Sequence, residues 1–173
     1  MNKQKLIEEL NQTTVEFLQT LDSFPADQIN IVPFEGSWTA GQVAEHILIS
    51  EGGLPEMLMA ETAVTERPVD ERVALLESIF LDFSTKLKAP DFNVPSNGPH
   101  EKEKLMADFR HVRKQLEHVA QTADLTLTCT TFPFPTIGEL TRWEWINFVI
   151  CHAKRHIHQL RNILAKLTEK VEG

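Results

Sequence analysis

Trp143-Glu-Trp-Ile-Asn-Phe-Val-Ile-Cys-His152-Ala-Lys-Arg-His156-Ile-His-Gln159-Leu160 lies inside the last and longest helix that the apolar pattern predicts. His152 and His156 are four residues apart, so on a helix they stand about 40° apart around the axis and one turn apart along it. Two imidazoles so placed aim at one metal ion from a single rigid element. Helical zinc-protease motifs use the same spacing, with an intervening Glu that this stretch lacks. His158 lies about 200° round from His156 and cannot share that ion on a regular helix. Cys151, about 100° from His152, reads as core packing rather than as a nucleophile.

Two histidines make a weak site, because a catalytic zinc-type centre takes three protein ligands and an open position. The best third candidate is His46, in Ser37-Trp-Thr-Ala-Gly-Gln-Val-Ala-Glu-His46-Ile-Leu-Ile-Ser-Glu51. Its flanks Val43, Ile47 and Ile49 point to a helix packed against others. His100, His111 and His118 have more charged surroundings. For any one of these histidines, a surface residue or a hydrogen-bonded core residue is the plainer alternative.

A chain of 173 residues is long enough for one domain with a core, and residues 1–173 read as a single unit. The net charge of −8 argues against nucleic acid, whose phosphates require a Lys/Arg surface. Lys154, Arg155 and Arg161, the densest basic group, read as a solvated helix face. Cys129 and Cys151 have neither the count nor the spacing of a disulfide framework or a Cys-based zinc site. The N-terminal stretch has no apolar signal-peptide core, and no apolar run approaches a membrane span. The expectation is a cytoplasmic protein with no membrane partner.

Leu6, Leu10, Thr13, Phe17 and Leu21 form one stripe, predicting a helix over 3–22 that ends at Ser23-Phe-Pro25. After a loop over 24–38, Thr39-Ala-Gly-Gln42 has the form of a capping box. It opens a helix from Ala40 to Ala60, with a kink or break at Gly52-Gly53 and Pro55. Val69, Val73, Leu76, Phe80, Phe83 and Leu87 predict a third helix, and prolines make 89–99 a connector. A fourth helix starts near Pro99 and carries Leu105, Phe109, Val112, Leu116 and Val119. Residues 125–135 alternate like a strand but lack an evident partner, so they read as a lone extended connector, with Phe132 and Phe134 tucked into the bundle's end. Thr136-Ile-Gly-Glu139 is a second capping-box match, opening a final helix from Ile137 to Lys170. The fold class is all-α: an antiparallel four-helix bundle core with an additional helix and a long C-terminal helix.

Three stretches together resemble the DinB/YfiT-like superfamily of metal-dependent enzymes. They are Trp38-Thr-Ala-Gly-Gln-Val-Ala-Glu-His46 with Glu51 five residues on, Ile137-Gly-Glu-Leu-Thr-Arg-Trp143-Glu144-Trp145, and His152-x-x-x-His156-x-x-Gln159. The resemblance covers nearly the whole chain. It implies a four-helix bundle holding a divalent metal, nickel or zinc, on His46, His152 and His156. Several relatives use such a site to activate a low-molecular-weight thiol, in transfer to an electrophile, in maleylpyruvate isomerisation or in thiol-histidine biosynthesis, and many are homodimers. A homodimer acting on a small-molecule substrate is therefore expected.

The residues agree with that chemistry, because three neutral imidazoles leave an ion its full charge, and a bound water or thiol then loses its proton more easily. Gln42, one turn before His46, and Gln159, three residues past His156, are candidates for supporting the site or the substrate. Capping explains Gln42 equally well, and a polar position at the bundle end explains Gln159. Trp38 and Trp145 are candidates for lining a pocket, with core packing as the alternative. The leading expectation is a thiol (S-)transferase. A metal-dependent hydrolase, or a non-catalytic helical interaction module with vestigial histidines, stands against it.

Overall fold

The computed structural model describes residues 2–172, with side chains for 2–169. Asn2 caps α1 (Lys3–Asp22) by accepting the Lys5 amide at 3.1 Å, and the predicted stripe Leu6, Leu10, Thr13, Phe17 and Leu21 is buried. α2 (Ala40–Glu51) opens with the predicted capping box, Thr39 and Gln42 each bonding the other's backbone amide. Gly52-Gly53 then breaks the helix, and α3 (Leu54–Met59) restarts with Pro55 in its first turn, where no amide is missed. α4 (Val73–Phe80), a 3-10 turn (Asp91–Asn93), α5 (Lys102–Thr122) and α6 (Arg142–Glu172) complete the helices.

Pairs between the helices fix their directions. Lys3 reaches the Gln121 carbonyl and Lys102 the Asp22 carbonyl, so α1 and α5 oppose. Glu9–Lys154 and Glu16–Arg161 set α1 alongside α6. Gly41 beside His100 and Glu51 on Arg113 set α2 alongside α5. His46 faces His152, and Arg142 donates to the Leu58 carbonyl, so α2 and α3 oppose α6. Two helices thus run each way, and α2 and α5, consecutive in the bundle, run the same way. The chain must therefore travel back along the bundle between them. The crossover, residues 52–101, carries α3, α4 and the 3-10 turn on that return.

Five sequence expectations need correction. Residues 128–129 do have a partner: β1 (Thr62–Ala63) pairs antiparallel with β2 (Thr128–Cys129), Thr62 opposite Cys129. Two residues of strand are too short to leave a periodic signal. The final helix starts at Arg142, not Ile137, because Phe134 and Gly138 bridge across a turn in which Thr136 takes φ 67°. Its capping box is Thr141–Glu144: Thr141 Oγ1 accepts the Glu144 amide at 3.1 Å and Glu144 Oε2 the Thr141 amide at 2.9 Å. Glu144 also takes both Arg67 Nη groups at 2.7 Å, which favours this box over Thr136–Glu139. The third helix stops at Phe80, since Asp82 turns the chain by accepting the Ser84 amide, leaving Phe83 and Leu87 exposed. Arg155 donates to the carbonyls of Phe80, Asp82 and Thr85, so it is not the solvated side chain its basic neighbourhood implied. The fourth helix begins three residues after Pro99, at Lys102.

Two apolar clusters fill the bundle. One holds Leu6, Leu10, Leu54, Leu58, Leu116, Trp145 and Val149; the other holds Phe17, Leu21, Val43, Ile47, Phe109, Ile157 and Leu160. Between them each bundle helix contributes buried polar groups: Thr13 from α1, His46 and Glu51 from α2, Arg113 from α5, and His152 and His156 from α6. No helix among the described residues is long and apolar enough to cross a membrane.

Candidate metal centre

α2 presents His46 and α6 presents His152 and His156, all buried, and one ligand nitrogen from each lies within 4.8 Å of the others. The Nε2 atoms converge: His152 Nε2 is 3.2 Å from that of His46 and 3.0 Å from that of His156. His158 points away, its ring stacked on Phe83 at 4.4 Å. Of the flanks of His46, Val43 and Ile47 are buried, whereas Ile49 is exposed.

The outer nitrogens decide which atoms face inward. His46 Nδ1 lies 2.7 Å from the Asn93 carbonyl, which only accepts, so Nδ1 carries the proton and Nε2 a lone pair. His156 Nδ1 lies 2.8 Å from Gln159 Oε1, with the same consequence. Among the described residues His152 Nδ1 has no partner; its ring is held by stacking on Phe148 at 5.1 Å and by an edge contact with Phe80 at 5.8 Å. One proton on His152 Nε2 satisfies only one of the two lone pairs aimed at it. A cation satisfies all three at once. Three nitrogens about 2.0–2.1 Å from a tetrahedral ion lie about 3.3 Å apart, close to the two separations observed.

Burial also keeps these rings in the form a metal requires. Desolvation lowers the pKa of His46, partly offset by the Asn93 carbonyl, and drives that of His152 well below the ordinary value. His156 is pushed down to about 3 by burial, with the neighbouring His46 adding to it. Neutral imidazole is the ligating form. Three histidines match the protein donor set of a catalytic zinc-type site, and imidazole nitrogen equally suits nickel.

Gln159 thus orients His156 through Nδ1, and Trp38 packs on His46 with centroids 5.0 Å apart. Gln42 spends its side chain elsewhere: its Oε1 caps α2 and its Nε2 donates to the Ser96 carbonyl at 3.1 Å. Trp145 is buried among Phe132, Phe134 and Phe148, in the core rather than on a pocket wall beside His46. Cys151 is buried and its thiol is pushed up to about 11 by burial, as a core residue should be. The sequence reading missed Asn93, whose contribution is a backbone carbonyl that no side-chain pattern reveals. It also passed over Arg113, a cation one turn-stripe deep in the core of α5.

The sequence profile described as the DinB superfamily matches residues 9–160. The uncharacterized protein YuaE of Bacillus subtilis (strain 168) is 24% identical over 157 residues, covering 91% of this chain and 96% of its own length. YfiT from Bacillus subtilis, described as a probable metal-dependent hydrolase with an unusual four-helix bundle topology, superposes with a TM-score of 0.64. That comparison covers 96% of this chain and 87% of YfiT at 17% identity, so it shows a shared fold. The matched span runs from α1 through His46 to Leu160, past the last of the three histidines, and on this ground the chain belongs to the DinB superfamily.

Proposed function

We propose that this protein is a divalent-metal-dependent enzyme that activates a small nucleophile, with a low-molecular-weight thiol transferred to an electrophile as the leading reaction. The observation that carries it is the convergence of three buried, neutral imidazoles, two of which have outer partners that turn their lone pairs toward one point. His46, His152 and His156 would hold the ion. A bound divalent ion supplies Lewis acidity, lowering the pKa of a water or thiol at its open position. The chain's own part is orientation and exclusion of water. The Asn93 carbonyl and Gln159 fix two rings, while Phe148 and Phe80 on one side and Trp38 on another remove solvent from them.

Hydrolysis is the second reading, supported by the description of YfiT. The thiol, nickel or zinc as the ion, a small-molecule electrophile, a homodimer and a cytoplasmic location accompany the first reading on the family resemblance alone. The test is conjugation of bacillithiol, mycothiol, glutathione or cysteine to a model electrophile, beside ester and amide substrates without thiol. Each assay is run with nickel or zinc added and with chelator. Metal-dependent conjugation that the His152→Ala variant loses supports the transferase, and metal-dependent ester or amide turnover moves the assignment to hydrolase. No metal-dependent rate in either assay overturns both and favours the interaction module.

A further inference from the structure

The crossover returns to the start of α5 along one face of α2, and that limb is fastened. Asn93 Nδ2 donates to Ser50 Oγ at 2.8 Å, and Ser50 Oγ donates to the His46 carbonyl at 2.8 Å. Ser96 donates from its amide to Glu45 Oε2 at 2.6 Å and from its hydroxyl to the same carboxylate at 2.9 Å. At the end of the limb sits His100, its side chain only 6% exposed although the sequence places it among charges. His100 Nε2 donates to Glu45 Oε2 at 2.9 Å, while Asn30 accepts the His100 amide at 2.8 Å and donates to its carbonyl at 2.9 Å.

Two glycines make room for this ring. A Cβ on Gly41 would lie 2.8 Å from His100 Cβ, and one on Gly98, where φ is +77°, would lie 2.8 Å from His100 Nδ1. Ser96, His100 and Glu45 resemble a nucleophile set in composition but not in geometry. Ser96 and Glu45 meet the same ring nitrogen, at 3.5 and 2.9 Å, so the acid cannot orient the base toward the hydroxyl. The cluster is a fastening, and what it fastens is the segment that carries the Asn93 carbonyl.

We propose that His100, seated between Gly41 and Gly98 and bonded to Glu45 and Asn30, is a positioning residue for the metal centre: it holds residues 93–100 on α2, so that the Asn93 carbonyl fixes the Nδ1–H tautomer of His46 and leaves Nε2 free to ligate. This rests on the metal-binding reading given above. Partners of the outer nitrogen of a ligating histidine typically change metal affinity 10–100-fold when lost. His100 lies at one remove from that partner, and its effect runs through the backbone of 93–100.

The test is a double-mutant cycle on the full chain, with cobalt(II) affinity from its visible absorption and, in metal-free protein, the ring-nitrogen shifts of His46 by NMR. His100→Ala and Gly41→Ala should each weaken cobalt binding roughly 10-fold or more and convert His46 from the pure Nδ1–H form to a tautomer mixture. The two should not add, because both act through one event, the release of residues 93–100 from α2, which either change alone already brings about. Should His100→Ala fail to fold, Asn30→Ala, which removes both backbone bonds and leaves the ring, must give the same two changes. Wild-type cobalt affinity and an unchanged His46 tautomer in folded variants would overturn the proposal while leaving the metal site standing. A wild-type protein that binds no cobalt would instead overturn the metal reading, and the proposal with it.

Discussion

Two sets of buried polar side chains share the middle layer of the bundle, and they are built on opposite principles. Arg113 donates to both oxygens of Glu51 at 2.7 and 2.8 Å and to Thr13 at 3.3 Å, and its guanidinium lies 4.7 Å over the Phe109 ring. Donors and acceptors there are matched, and nothing further is called for. His46, His152 and His156 instead turn lone pairs on one another, and one outer nitrogen has no partner among the described residues. A polar layer that satisfies itself specifies how four helices register; one that does not is completed by something from outside.

The sharpest way to break this contrast is to open the matched set. Arg113→Ala leaves the Glu51 carboxylate buried and unpaired, and about 3–5 kcal/mol of stability should disappear in urea denaturation. Replacing both partners with Leu and Met should recover most of that loss, since the pair is a registering device rather than a net source of stability. His152→Phe should behave in the reverse manner. The metal-free variant should be at least as stable as the metal-free parent, because an imidazole with a bare nitrogen has been removed from the core. Metal at about 100 times its Kd should stabilise the parent by about 2.7 kcal/mol and leave the variant unmoved, as thermal denaturation with and without zinc would show.

Acid acts on the histidine set in particular. Burial lowers the pKa of all three histidines, that of His156 to about 3, from an ordinary value of 6.5. Below 6.5 the unfolded chain takes up protons that the native centre refuses. The stability that these histidines contribute to the metal-free protein is therefore full above about pH 6.5 and is lost as the pH descends toward 3. The slope measured by denaturation across that window should be shallower in His152→Phe. The smallest effect concerns the thiols. Burial pushes Cys129 and Cys151 up to about 11, so native protein at pH 8 should react with iodoacetamide far more slowly than protein in urea.

Helix periodicity made the bundle legible. The stripe on α1 is buried as predicted, that on α5 is buried except for the half-buried Val112, and an i, i+4 pair on α6 does face a histidine of α2. Features that depend on single bonds between distant segments were not legible. The two-residue strand pair has no period to detect, and Glu144 claims the helix start through Arg67, 77 residues upstream. Phe83 looked like the next step of a seam, but Asp82 had already turned the chain. Near the metal centre the same holds. Gln159 was singled out because it shares a helix with His156, whereas Asn93 acts through a backbone carbonyl and His100 through a cavity shaped by two glycines.

Metal stoichiometry decides whether the three imidazoles form one ion site. The chain, purified without a histidine tag and titrated with zinc or nickel, should bind about one ion per chain, and His46→Ala with His152→Ala should abolish that binding. Undiminished binding in the folded double variant would contradict a shared site.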